Sequence, residues 1–185
     1  NLMLANYEYV DEIETGNNTY VYRMYNEEKD DDVVVIWGIN DGGTISVDFG
    51  TDKLEAYDEY GNMREIYGVN GVFSFPVTEA VMYLKGDFNK FEKAENIFME
   101  QTKFSVEFES DVDFKINNHT GKKLNVEFIP RHNNDMKFTV TENEDLSLNV
   151  HVDNARTVAE KDVVRIRISD DEKLYVDGNM VFRHT

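Results

Sequence analysis

Carboxylates are the groups this sequence offers most freely for chemistry: 37 Asp and Glu stand against 19 Lys and Arg, a formal charge of −18 over 185 residues. Two chemistries use them, acid–base work by a carboxylate pair and coordination of hard cations through oxygen. A catalytic pair must sit in a concave, partly desolvated site. Here the acids fall on the polar beats of alternating segments or in turns, so they read as solvated surface and no catalytic residue is assigned. Cation sites are conceivable at the run Glu27-Glu28-Lys29-Asp30-Asp31-Asp32, at Asp111 with Asp113, and at Asp170-Asp171-Glu172. None has the glycine-punctuated spacing of an EF-hand loop. No resident cofactor is expected, with calcium as the alternative these clusters keep open.

The remaining footholds are fewer. There is no cysteine, and His119, His132, His151 and His184 never fall at the short interval of a His-x-x-x-His pair, so no metal site is assigned. Neither a Gly-x-Ser-x-Gly elbow nor a glycine-rich phosphate loop ending in Lys-Ser or Lys-Thr occurs. Aromatic side chains are left, because sugar rings lay their C–H faces on Tyr and Trp as other apolar ligands do. Tyr20 and Tyr22 share one face of a strand, and Tyr7 and Tyr9 share a face of its neighbour. Tyr20 and Tyr22 are therefore the candidate carbohydrate contacts, against the competing reading of structural cross-strand pairs. Trp37 lies in the most apolar strand and reads as packing. The charge disfavours nucleic acid and anionic membranes as partners. The longest apolar run, Val33 to Trp37, is far below the ~20 residues of a membrane span.

These residues must be positioned by strands, for the apolar period is mostly two and only two prolines occur. In the second half Phe104, Val106 and Phe108 alternate with polar residues. So do Val112, Phe114 and Ile116; Leu124, Val126 and Phe128; Leu146 to Val152; and Val164, Ile166 and Ile168. Leu174 and Val176 precede a turn at Asp177-Gly178-Asn179, with Val181 beyond it. The first half offers strands at Tyr7–Glu14, Thr19–Tyr25, Val33–Ile39, Thr44–Phe49, Leu54–Tyr57, Val72–Phe75 and Val81–Leu84. Its turns fall at Gly16-Asn17-Asn18, Asn40-Asp41-Gly42-Gly43 and Tyr60-Gly61-Asn62. The expectation is an all-β chain of two tandem antiparallel β-sandwich modules, residues 1–95 and 96–185, with 20 acids and 7 bases in the first and 17 and 12 in the second.

Several early strands are apolar on both faces. Val33, Val35, Trp37 and Ile39 oppose Val34 and Ile36, and Val81 and Tyr83 oppose Met82 and Leu84. A two-layer sandwich needs one apolar face per sheet, so a third layer is implied. The expectation is that this layer lies outside the chain. Asn1 to Tyr9 has neither the basic start nor the apolar stretch of a signal peptide, and the chain is expected to be a piece of something longer.

The order Val33-Val34-Val35-Ile36-Trp37, Asp48-Phe49-Gly50, Ala56-Tyr57-Asp58-Glu59-Tyr60-Gly61-Asn62 and Pro76-Val77 to Tyr83-Leu84-Lys85-Gly86 resembles the β-sandwich that follows the (β/α)₈ barrel in several glycoside hydrolase families. Three residues more than in that pattern separate Pro76-Val77 from Tyr83-Leu84. The stretch Phe114-Lys115-Ile116-Asn117-Asn118-His119-Thr120-Gly121-Lys122-Lys123-Leu124 is similar to a hairpin of Ig-like or fibronectin-like accessory domains of bacterial carbohydrate-active enzymes. The resemblance implies a non-catalytic accessory region that braces an upstream catalytic domain of the same polypeptide, with its acid and nucleophile in the barrel. Contact with carbohydrate, and a secreted or cell-surface setting, go with that reading. An Ig-like bacterial surface or adhesion segment, stiffened by calcium, and a carbohydrate-binding module are the alternatives.

Overall fold

The computed structural model describes every residue except 1, 17, 40–41, 108–109, 133–134 and 154–159. The expected Phe108 beat and parts of two expected turns, at Asn17 and at Asn40-Asp41, lie outside the described residues. The chain is all-β, built of several antiparallel sheets. A short 3₁₀ turn, Leu2–Leu4, leads into β1 (Glu8–Glu14), β2 (Thr19–Asn26), β3 (Asp31–Gly38), β4 (Thr44–Asp48), β5 (Lys53–Tyr57), β6 (Met63–Tyr67), β7 (Val72–Pro76), β8 (Met82–Lys85) and β9 (Glu92–Lys93). The second half runs β10 (Ile97–Phe98), β11 (Lys103–Val106), β12 (Val112–Asn118), β13 (Asn125–Pro130), β14 (Lys137–Glu142), β15 (Leu148–Asp153), β16 (Lys161–Ser169) and β17 (Leu174–His184).

A six-stranded sheet, β1-β2-β3-β8-β5-β6, faces a three-stranded one, β7-β4-β9. Between them lies a core of Val21, Val34, Ile36, Val47, Phe49, Leu54, Phe73 and Leu84. The later strands form two four-stranded sheets, β10-β12-β15-β14 and β11-β17-β16-β13, around Ile116, Val150, Val152, Val164, Ile166, Ile168, Met180 and Phe182. Each such side chain taken from water contributes roughly 1.5–3 kcal/mol. The chain crosses from one half to the other through a bonded junction. Ser74 Oγ accepts from Ile97 N at 3.1 Å, Thr44 Oγ1 from Met99 N at 2.9 Å, and Thr102 Oγ1 from Gly43 N at 2.8 Å. No helix among the described residues is long and apolar enough to cross a bilayer.

Several features depart from expectation. Strand β11 pairs with β17 in parallel, the one parallel pair among the described strands. Strand β6 has no counterpart among the expected strands: it lies at a sheet edge with Met63, Arg64 and Glu65 exposed, so burial imposes no alternation on it. Finally, the expected turn at Asp177-Gly178-Asn179 is strand. Arg165 holds Asp177 with two hydrogen bonds of 2.7 Å, and β16 stays in register through Arg167↔Asp177, Ile166↔Gly178 and Arg165↔Asn179. Glycine is required there by close approach: a Cβ on Gly178 would lie 2.4 Å from Pro76 Cγ, across the seam between the halves.

The third layer over the six-stranded sheet comes from the chain itself, which corrects the expectation of an outside partner for this face. Val33, Val35 and Tyr83 are buried with Tyr7, and Met3, Leu4, Met24, Trp37, Tyr57 and Val81 pack around them. The N-terminal segment thus lies across the middle of the outer face. Its anchor is polar: the Tyr7 hydroxyl donates to Asp31, Lys85 Nζ donates to the same carboxylate at 3.0 Å, and Lys29 and Lys85 stand 5.6 and 5.9 Å from the Tyr7 ring centre. Burial pushes the Asp31 carboxyl up, but the Tyr7 hydrogen bond and Lys85 outweigh it and hold it below its ordinary value.

Replacing Tyr7 by Ala should uncover Val33 and Tyr83 and cost about 3 kcal/mol in urea unfolding, whereas Tyr7→Phe, which removes only the hydroxyl, should cost about 1 kcal/mol. Losses under about 0.5 kcal/mol for both would contradict the layer. Because the folded Asp31 carboxyl is depressed, its contribution is present above the unfolded value and lost as pH falls. Stability of Asp31→Asn should therefore vary less with pH than that of the parent protein below about pH 4.

Candidate aromatic binding face

The outer face of the six-stranded sheet is ordered in rows by strand register. One row crosses all six strands: Glu12, Tyr22, Val35, Tyr83, Tyr57 and Met63. The row beside it holds Glu14, Tyr20 and Trp37. On the other side lie Tyr9, Met24 and Val33. The N-terminal segment buries the centre of this face, around Val33, Val35 and Tyr83, and leaves its β1–β2–β3 end accessible.

Four aromatic rings remain at that end. Tyr20 and Trp37 stack with centroids 5.0 Å apart at 21°, Tyr22 meets Trp37 edge-on at 5.2 Å, and Tyr9 meets Tyr22 edge-on at 5.9 Å. Tyr9 is 57% exposed, and Tyr20, Tyr22 and Trp37 are half-buried. Contacts among the rings hold them in place, so a ligand would meet a preformed surface. Glu12 and Glu14, exposed on β1, flank the rings and offer only acceptors.

Both sequence candidates, Tyr20 and Tyr22, thus fall in one cluster, and the structure adds Tyr9 and Trp37 to it. Trp37, in the most apolar strand, does pack against the buried centre, yet it also stays half-exposed beside Tyr20. What the strand pattern could not reveal is where the N-terminal cover stops, since that depends on the path of residues 2–7 over the sheet.

The acid clusters resolve differently. In the Glu27–Asp32 run, Asp30 accepts from the Tyr25 hydroxyl, Asp31 is the Tyr7 anchor, and Asp32 takes a two-point bond from Arg23 at 2.8 and 3.1 Å. Asp170 closes its own turn, accepting from the Glu172 and Lys173 amides at 2.8 Å and from Tyr175 and Lys122. The Tyr175 bond leads in holding its carboxyl well below the usual range, with those amides and Lys122 outweighing burial. Asp111 and Asp113 are not joined: they face different nitrogens of His151.

A concavity of about 850 Å³ opens between the halves over Ile36, Ala56 and Met82. Three of its charged groups satisfy one another, with Asp177 between Arg165 at 2.7 Å and Arg64 at 3.6 Å. Burial raises the Asp177 carboxyl, but Arg165, with Arg64 and Arg167, more than offsets this and lowers it. Set against protein-family models and against curated proteins, the chain matches none.

Trp37 is the sole tryptophan, so its emission reports on this cluster. Tyr20→Ala removes the ring stacked on it and should shift the emission to the red and increase quenching by acrylamide, while Tyr60→Ala, at a residue 83% exposed elsewhere, should change neither. Equal quenching in all three proteins would contradict the stacked pair.

Proposed function

We propose that the chain is a non-catalytic carbohydrate-binding region of a larger carbohydrate-active protein, and that it holds neutral glycan on the accessible end of the six-stranded sheet. The observation that carries this reading is the partly exposed cluster of Tyr9, Tyr20, Tyr22 and Trp37 with acceptor carboxylates at its edge. Sugar C–H faces would lie on the rings, and hydroxyls would donate to Glu12 and Glu14. A chain of charge −18 repels acidic polysaccharides, so neutral glycans are the class it fits. Support for a non-catalytic role comes from the acids of two sequence clusters, Glu27–Asp32 and Asp170–Glu172, in which Asp30, Asp31, Asp32 and Asp170 are engaged in structural bonds.

The second half fits an Ig-like accessory module. Its sheet orders, β10-β12-β15-β14 and β11-β17-β16-β13, follow the A-B-E-D and A′-G-F-C pattern of Ig sandwiches, with the parallel β11–β17 pair in the A′–G place. Bracing of an upstream barrel is a separate part of the reading. The self-covered sheet centre takes away its first motive, and what remains for such a contact is exposed apolar surface such as Val10, Ile39 and Met63.

Affinity electrophoresis through gels containing neutral β-glucan, mannan or galactan should retard the protein in at least one case, and gels of an acidic polysaccharide should not. Tyr20→Ala or Trp37→Ala should weaken retention about thirtyfold, roughly 2 kcal/mol, as expected for a central aromatic anchor. Retention unchanged in both variants, or none in any neutral gel, would refute the proposal.

A further inference from the structure

A second cluster lies on the outer face of the β10-β12-β15-β14 sheet, in the other half of the molecule. Register sets it up. Asp113 pairs with His151 and Val112 with Val152 in the antiparallel β12–β15 ladder. Asp111 and Asp153 therefore fall opposite each other one step further on. The valines point inward, Val152 fully buried, so the four polar residues share the outer face.

His151 stands between these carboxylates. Its Nδ1 lies 2.7 Å from Asp113 Oδ1, while Nε2 lies 3.8 Å from Asp111 Oδ2 and 3.7 Å from Asp153 Oδ1. The ligand atoms of Asp111, His151 and Asp153 all lie within 4.8 Å of one another. We infer that Asp111, His151 and Asp153 form a binding site for a divalent transition-metal ion of the zinc class, with Asp113 orienting the imidazole.

Three features support this choice. With metal–ligand bonds of about 2.0–2.2 Å, tetrahedral ligand atoms stand about 3.4 Å apart, so the two histidine–carboxylate separations of 3.8 and 3.7 Å need to close by only a few tenths of an ångström, and the two carboxylates, within 4.8 Å of each other, close further by side-chain rotation. An Nδ1–H donated to Asp113 fixes the tautomer that leaves the Nε2 lone pair toward the other two carboxylates, the usual support of a metal-bound histidine. The imidazole favours zinc, cobalt or nickel over calcium, which takes oxygen alone. Solvent reaches the site: His151, Asp111 and Asp153 side chains are 41%, 49% and 52% exposed. Lys137, opposite Asp153 on β14, places a cation in the same row and keeps the expected affinity moderate.

Zinc chloride titrated into the full chain, free of affinity tags, should bind one-to-one at micromolar concentration by calorimetry, with calcium at the same concentration failing to compete. By NMR the His151 imidazole signals should move with zinc, while those of His119, His132 and His184 do not. His151→Ala should abolish binding. Asp113→Asn, which keeps all three ligands, should weaken it about 10–100-fold. Zinc binding unchanged in His151→Ala, or equal shifts of all four histidines, would overturn the site. Should His151→Ala fail to fold, Asp153→Asn and the NMR titration of the unmodified chain decide in the same way.

Discussion

A sheet whose strands are apolar on both faces cannot be the outermost layer of a sandwich in water. In this chain β3 and β8 impose that constraint: Val34, Ile36 and Leu84 fill the inter-sheet core, while Val33, Val35 and Tyr83 are just as buried on the opposite side. The solution is local and inexpensive in residues. One short turn carrying Met3 and Leu4, then Tyr7, supplies the cover, and a single carboxylate, Asp31, with Lys85 locks it down. A phenol suits that position because its ring covers apolar neighbours while its hydroxyl reaches a charged group.

Such a cover is narrow, and its limits define the rest of the face. Beyond it the rings of Tyr9, Tyr20, Tyr22 and Trp37 support one another at the sheet edge. The edge strand β1 is itself protected against pairing with another sheet by Glu8, Asp11, Glu12 and Glu14 and by the irregularity between Tyr9 and Asp11. Under the carbohydrate reading Glu12 and Glu14 take a second role as acceptors for sugar hydroxyls. The aromatic face and the histidine–carboxylate cluster sit on separate halves, joined by hydrogen bonds that Ile97 N and Met99 N donate to the first half and that Thr102 Oγ1 accepts from Gly43 N.

Most strands were legible because burial on one face forces a period of two: β12, β15 and β16 alternate as their sequences do. Edge elements escaped for the converse reason. The exposed residues of β6 and the two-residue β9 carry no apolar signal. Asp177-Gly178-Asn179 has the composition of a turn, yet long-range bonds to Arg165 and close packing on Pro76 keep it extended. Of the aromatic cluster, Tyr20 and Tyr22 were readable as a same-face pair. The participation of Trp37 was not, because accessibility there is set by where another segment ends. The proposed site at His151 has only Asp153 nearby in sequence; Asp111 and Asp113 lie 40 and 38 positions away and meet the imidazole only through strand register.

The uncovered end of the six-stranded sheet is the proposed ligand face. Emission from Trp37 tests it directly during titration with neutral oligosaccharides in solution. A saturable change in intensity or wavelength is expected, and it should disappear in Tyr22→Ala, a substitution that leaves both rings of the Tyr20–Trp37 stack present. Emission that stays constant across neutral oligosaccharides of several linkages, or a change that Tyr22→Ala leaves intact, would contradict it.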